Sequence, residues 1–184
     1  MSVKKVHYTW KDIEHMIQVL NNLMYADGWR PDYIVGLTRG GLVPSVILSN
    51  MTGITCHTLD VRFRDTGQNT SGPESNLWMA EDAFGYAGDG VTHKQHRNNI
   101  LILDDINDTG KTLSWIKNDW QSGCLPNDPN WKDIWHNNVR FACLIDNAGS
   151  DFTDLDYAAV EIDKRDDPSW IVFPWEGERD YGNF

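Results

Sequence analysis

The sequence predicts an α/β domain built on a mostly parallel, twisted sheet with helices on both faces. Three features predict it. Short apolar runs rich in β-branched residues alternate with segments of helical spacing, the order that crossover connections impose on a parallel sheet. Two of these runs end abruptly in polar, glycine-bearing segments, Thr38–Gly41 and Asp104–Thr112, and open α/β sheets bind ligands beyond the carboxyl ends of their strands. Finally, 184 residues suffice for a single domain with its own core, and no internal repeat or linker divides residues 1–184.

The elements follow in order. From Trp10 to Tyr25, Ile13, Met16, Ile17, Leu20, Leu23 and Met24 recur at spacings of three and four, which predicts an amphipathic helix with Thr9 as its N-cap. Pro31–Leu37 reads as a short buried strand, Leu42–Met51 as a helix and Ile54–Val61 as a second strand. Between Arg62 and Asn99 the periodicity fails among six glycine and proline positions, apart from a short helix around Ser75–Phe84. A connection of that length inside a compact domain marks a functional flap, so residues 62–99 are the candidate flap, with Arg62 and Arg64 at its base. Ile100–Asp105 is a β-rich run stopping on two acids, Thr109–Trp120 a helix, and 123–138 a polar excursion containing tryptophan. Strands at Val139–Ile145 and Ala158–Ile162 follow, and the apolar tail Trp170–Trp175 is broken by Pro174. The segment 146–184 is assigned to a small hood over the site.

Composition excludes several classes. A net charge of −11 and a pI near 4.8 leave no basic face for nucleic acid. No apolar run approaches membrane-spanning length and the N-terminus has no apolar signal core, so a soluble cytoplasmic protein is expected. Three cysteines without ligand spacing are expected as reduced, mostly buried thiols, and the nine tryptophans mostly as packing anchors. The six histidines show no ligand spacing either and are expected at the surface or in packing. The acidic balance sits awkwardly with polyphosphate chemistry unless backbone N–H groups and a divalent cation bind the phosphates.

The segment after Ile100–Leu103 has that chemistry. Asp104 and Asp105 end the strand, and Asp108-Thr109-Gly110-Lys111-Thr112 enters a helix. Free N–H groups at a helix N-terminus, with Gly110 permitting close approach, make a phosphate cradle, and the two threonine hydroxyls add donors. A nucleoside-triphosphate P-loop is excluded, because Asp105 stands where that motif needs its first glycine.

Residues Ile100–Thr112, ILILDDINDTGKT, resemble the phosphoribosyl-pyrophosphate signature of type I phosphoribosyltransferases. The string VGLTRGGLVPSVILSNMTGI, with Tyr8-Thr9-Trp10 and Trp170-Ile171 … Pro174-Trp175, is similar to bacterial xanthine-guanine and hypoxanthine members. The resemblance implies a magnesium-dependent enzyme that joins the phosphoribosyl group of 5-phosphoribosyl-1-pyrophosphate (PRPP) to a purine base, and a homodimer or larger homo-oligomer. It implies that Asp104 and Asp105 hold the ribose hydroxyls directly or through Mg²⁺, and that Asp108 lies near the purine N7. Thr109, Gly110, Lys111 and Thr112 would cradle the 5′-phosphate. Thr38, Arg39, Gly40 and Gly41 would form the pyrophosphate loop, which in this family often carries a non-proline cis peptide. Trp170 would stack on the base. Two readings remain beside the enzyme for a purine: a non-catalytic PRPP- or nucleotide-sensing module, and an enzyme for another nitrogen heterocycle.

Two positions depart from the family pattern. Members that take 6-oxopurines carry a lysine after the strand corresponding to Val139–Ile145, and Asp146 stands there. An ionised acid accepts from an amino group and cannot donate to O6, so Asp146 predicts a shift toward an amino-bearing or modified purine. The alternative is that Asp146 faces solvent and Lys164 or backbone groups read the base. Glu176 replaces the aspartate that binds a second magnesium, one methylene longer but still a hard oxygen ligand.

Overall fold

The computed structural model describes residues 4–61, 77–85, 96–126 and 128–176. In chain order the elements are β1 (Lys4–His7), α1 (Trp10–Ala26), β2 (Tyr33–Leu37), α2 (Leu42–Thr52), β3 (Thr55–Leu59), α3 (Leu77–Phe84), β4 (Ile100–Asn107) and α4 (Lys111–Gly123). A short 3-10 helix, Pro129–Asp133, precedes β5 (Val139–Asn147), β6 (Tyr157–Ile162) and β7 (Ser169–Val172).

The main sheet has five strands in the order β3-β2-β4-β5-β6, all pairs parallel. From β2 the chain steps outward to β3, crosses back to β4 and then proceeds the other way. The strand order therefore reverses between β2 and β4. Crossovers leaving a reversal point in opposite directions open a crevice at the carboxyl ends, where doubly wound sheets bind ligands.

Two apolar layers cover the sheet. Ile13, Met16, Ile17, Leu20 and Met24 of α1 pack with Leu48 of α2 against Leu101, Leu103, Ala142 and Leu144. On the opposite face α3 and α4 pack through Met79, Ala80, Ala83, Leu113, Ile116 and Trp120 onto Ile100, Ile102 and Phe141. Helix α1 begins in a capping box: the Thr9 hydroxyl accepts from the Asp12 N–H at 3.2 Å, and the Asp12 carboxylate accepts from the Thr9 N–H at 2.7 Å. Leu23, assigned to the apolar stripe by spacing, lies 39% exposed because it falls at the stripe's edge.

Several expectations are corrected. Strand β4 does not stop on its acids but continues through Asp104 and Asp105 to Asn107, because β5 pairs with it as far as Asp146. The tail forms β7, which pairs in parallel with β1 in a second sheet of two strands. Four-residue strands are too short for a period-2 signal, and their stabilisation is tertiary. Tyr8 stacks on Phe173, Phe173 on Trp175 at 4.7 Å between centroids, and Trp175 meets Trp10. The polar excursion before β5 contains buried Trp131 and Trp135, stacked on each other at 5.4 Å. The Trp131 indole N–H satisfies itself on the Cys124 carbonyl at 3.0 Å. Helix α3 lies within the candidate flap, yet Met79, Ala80 and Ala83 are fully enclosed in the core. The remainder of that flap, with Arg62, Arg64 and His93, falls outside the described residues, except for 85 and 96–99, which adjoin α3 and β4. All three cysteines are free thiols, Cys124 and Cys143 buried and Cys56 half-buried. No described helix is long and apolar enough to cross a membrane.

Candidate active site at the strand reversal

The loops after β2 and β4 flank the reversal point and touch. A methyl group on Gly40 would stand 1.9 Å from the Asp105 carboxylate, so only glycine leaves that carboxylate its place. Thr38 is fixed from β3, its hydroxyl donating to Asp60 at 2.6 Å and its N–H to the Leu59 carbonyl at 3.0 Å. The Thr38–Arg39 peptide is cis, and the Arg39 side chain is exposed beyond it.

Asp104 and Asp105 project from the last part of β4, enclosed by the same loops. Asp104 accepts from the Asp105 N–H at 2.9 Å, and Asp105 from the Ile106 N–H at 2.8 Å. Even so, burial and then the neighbouring Asp105 charge push the Asp104 carboxyl well above the ordinary carboxylate range, against the Gly41 N–H. Burial is also the largest cause at Asp105, whose carboxyl is pushed up to about 6 with the Glu176 charge adding to the rise. Glu176 thus belongs electrostatically to the same group; its carboxylate is anchored by the Phe173 N–H at 3.0 Å. The arrangement concentrates negative charge where a cation would relieve it.

Beyond the acids, Asp104–Leu113 line a hollow of about 230 Å³. Gly110 takes φ +80° at the head of α4 and no side chain caps the helix, so the first-turn N–H groups stay available to an anion. A Cβ at Gly110 would lie 2.4 Å from the Phe152 backbone nitrogen. The cradle therefore rests directly on the segment after β5. Thr109 and Lys111 are exposed at its rim, with Thr112 half-buried.

That underlying segment is held by Asn107 and Asn147, which the sequence reading passed over, and by Lys164, which it named only as an alternative reader of the base. Asn107 is 2% exposed. Its amide donates to Asp146 at 2.8 Å and to the Phe152 carbonyl at 2.9 Å, and its carbonyl oxygen accepts from the Ser150 hydroxyl at 2.8 Å. The Asp146 carboxylate, expected either to accept from an amino group of the base or to face solvent, is thus bonded to a buried amide. Asn147 donates to the Asp108 backbone carbonyl at 2.9 Å and to its carboxylate at 3.3 Å, and accepts from the Gly149 and Lys164 N–H groups. Lys164 closes the group, its ammonium 2.8 Å from Asp108 Oδ2. An asparagine after two strand-end acids was the available signal for Asn107. Asp108, the partner that Asn147 and Lys164 share, lies 39 and 56 residues away from them, and no local pattern reports it.

Trp170 lies on the outward side of β7, beside Lys5 of β1, and is 61% exposed. Among the described residues, no three His, Cys, Asp or Glu side chains gather as a metal cluster.

Comparison with known proteins identifies the family and the fold. Residues 2–181 match the family model of the phosphoribosyl transferase domain. The xanthine-guanine phosphoribosyltransferase of Cereibacter sphaeroides is 28% identical over 180 residues, spanning 94% of this chain and 87% of that protein. Among solved structures, the purine phosphoribosyltransferase from Pyrococcus horikoshii superposes with a TM-score of 0.63 at 26% identity, covering 94% of this chain and 93% of the other. The Helicobacter pylori xanthine-guanine-hypoxanthine phosphoribosyltransferase shares the fold at 19% identity, with a TM-score of 0.62 over 94% of each chain.

Proposed function

Because the chain belongs to the phosphoribosyl transferase family, we propose that it moves the 5-phosphoribosyl group of PRPP onto a ring nitrogen of a purine base, yielding a nucleoside monophosphate and pyrophosphate. The observation that carries this reading is the meeting of two loops at the strand reversal: an anion cradle beside carboxylates, faced by the glycine loop after β2. Purines are supported as the acceptor class by the names of relatives that match along nearly the whole chain.

The residues take these roles. The helix N-terminus at Gly110–Thr112, with Thr109, holds the 5′-phosphate, and Asp104 and Asp105 hold the ribose hydroxyls. Thr38, Arg39, Gly40 and Gly41 bind the pyrophosphate. As its bond to the anomeric carbon breaks, negative charge grows on pyrophosphate and positive charge on the ribosyl ring. The Arg39 guanidinium and loop N–H groups favour the first, the strand-end carboxylates the second. The base nitrogen N9 forms the new bond to that carbon with its free lone pair, and the proton on the other imidazole nitrogen, N7, passes to Asp108. Trp170 covers the base.

Mg²⁺ is the cofactor this reading requires, and the donor set fits it. Asp104, Asp105 and Glu176 offer hard oxygens; burial first, and then the Asp105 charge at Asp104 and the Glu176 charge at Asp105, raise the two strand-end carboxyls. Magnesium typically takes one or two protein carboxylates together with substrate phosphates. When bound it would neutralise charge on the departing pyrophosphate. PRPP and a purine are then the small-molecule partners, and a homodimer, the oligomer expected for the family, is checked by light scattering.

The test is turnover with PRPP, Mg²⁺ and a panel of guanine, xanthine, hypoxanthine, adenine, 2,6-diaminopurine and pyrimidines, with products identified by mass spectrometry. A nucleoside monophosphate and stoichiometric pyrophosphate from a purine are expected. Products from pyrimidines alone, or PRPP binding with no product from any base, would overturn the reading.

A further inference from the structure

We propose that Asn107 is a positioning residue for the phosphate cradle: its buried amide fastens Ser150 and Phe152 beneath Gly110 and so fixes the N–H groups at the head of α4. This role presupposes the phosphoribosyl transfer proposed above, and it adds a residue that acts on the 5′-phosphate site from below.

Gly110 has no slack beneath it. At φ +80° it sits against the segment after β5, where a Cβ would come within 2.4 Å of the Phe152 nitrogen and 2.8 Å of the Ser150 Oγ. The Asp151 N–H adds a third touch, donating to the Thr109 carbonyl at 3.4 Å. Ser150–Phe152 therefore form the floor of the cradle. Whatever shifts that floor shifts the first turn of α4, because close-packed groups transmit a displacement.

Asn107 holds the floor from the end of β4. Its amide nitrogen donates to the Phe152 carbonyl at 2.9 Å and to the Asp146 carboxylate at 2.8 Å, and its oxygen accepts from the Ser150 hydroxyl at 2.8 Å. The Ser150 Oγ accepts in turn from the Phe152 N–H at 3.1 Å. Both N–H donors of the amide are thus spent on acceptors. A flipped amide would aim its oxygen at a carboxylate and a carbonyl, so one orientation alone fits. Asn107 and Ser150 are both buried, and bulk water cannot replace a partner lost there. Asn107 and Asp146 are also register partners, which ties the floor to β4 and β5 together. Hydrogen bonds weaken steeply once donors leave their preferred distance and angle. A floor set in advance spares the cradle the cost of ordering its donors when a phosphate binds.

The experiment measures Kd by calorimetry for two probes that occupy different parts of the site. Ribose 5-phosphate fills the cradle, and magnesium pyrophosphate fills the loop after β2. The proteins are the wild type, Asn107→Ala and Ser150→Ala, each with its folded fraction read by urea denaturation. Asn107→Ala should raise Kd for ribose 5-phosphate about 10-fold, the equivalent of one hydrogen bond to a charged group, while Kd for magnesium pyrophosphate holds. KM for PRPP should rise by more than kcat falls. Ser150→Ala, which removes one tie and keeps Asn107, should move the same ratio of Kd values in the same direction by less. It also serves should Asn107→Ala fail to fold. An unmoved ratio in Asn107→Ala, or in Ser150→Ala where the first variant does not fold, would overturn the inference and leave the transferase reading standing. Equal weakening of both probes, the mark of a general loss of folded protein, would overturn it too. A wild type that binds neither ribose 5-phosphate nor PRPP removes the underlying reading, and this role with it.

Discussion

Asp105 and Asp108 lie three residues apart on one strand-end segment, and the fold treats their charges in opposite ways. Asp108 has an ammonium at 2.8 Å and an amide at 3.3 Å. Asp105 has backbone N–H groups, the carboxyl of Asp104 and the charge of Glu176. Asp108 is compensated within the protein, which suits the meeting with a neutral base that the proposed function gives it. Asp105, with its neighbours, is left short of positive charge, which suits a site completed by a cation and a polyanionic substrate. An overall charge of −11 is compatible with the proposed phosphate chemistry, in which backbone N–H groups would be the phosphate donors and a cation would come from solution.

The largest expected effect is on catalysis. Asp105→Asn should lower kcat about 10²–10³-fold, as for loss of one group aimed at developing charge. Steady-state kinetics across a Mg²⁺ titration checks it, and wild-type turnover would remove Asp105 from the reaction. Next comes the support beneath the loop. Asn107→Ala strands the Asp146 carboxylate, the Ser150 hydroxyl and the Phe152 carbonyl together, and should destabilise the protein by about 2–4 kcal/mol. Urea denaturation reads this directly, with a loss under 1 kcal/mol contradicting the network.

The same Asp→Asn change should then separate the two acids by sign. In EDTA at pH 7.5, Asp105→Asn should stabilise the protein by about 1–3 kcal/mol, since an acid whose carboxyl is pushed up is a destabilising charge at that pH. Asp108→Asn breaks an ion pair that is partly solvent-exposed and should cost no more than about 1 kcal/mol. Equal signs at the two positions would break the contrast. The pH dependence follows from the same shift. The folded carboxyl of Asp105 binds its proton more tightly than the unfolded one, whose ordinary value is near 4. The contribution of Asp105 to the stability of the metal-free protein should therefore fall as pH rises from about 4 to about 6 and then level off. Thermal melts over that window should show the slope, flattened in Asp105→Asn and under saturating Mg²⁺. A flat wild-type profile would contradict the burial of that carboxyl.

Much of the fold was legible in the sequence because its signals are local. The spacing of Ile13, Met16, Ile17 and Leu20 reports a helix face, and the apolar runs at β2, β4 and β5 report buried strands. Gly110 in the string from Asp104 to Thr112 points to the cradle, since a left-handed residue at the head of a helix favours glycine. Other features had no local signature. Pairing of β1 with β7 joins residues more than 160 positions apart, and nothing in KKVH announces a strand until Tyr8, Phe173, Trp175 and Trp10 pack together. The sequence places Asp146 at the end of a strand, but only the tertiary structure turns its carboxylate to Asn107. It offers Lys164 as an alternative reader of the base, but only the structure brings it to Asp108. The physical reason is the range of the forces read. Backbone propensity and hydrophobic periodicity act within a few residues and survive as pattern, whereas the partner of a buried polar group is chosen by how strands and loops pack, which no short window contains.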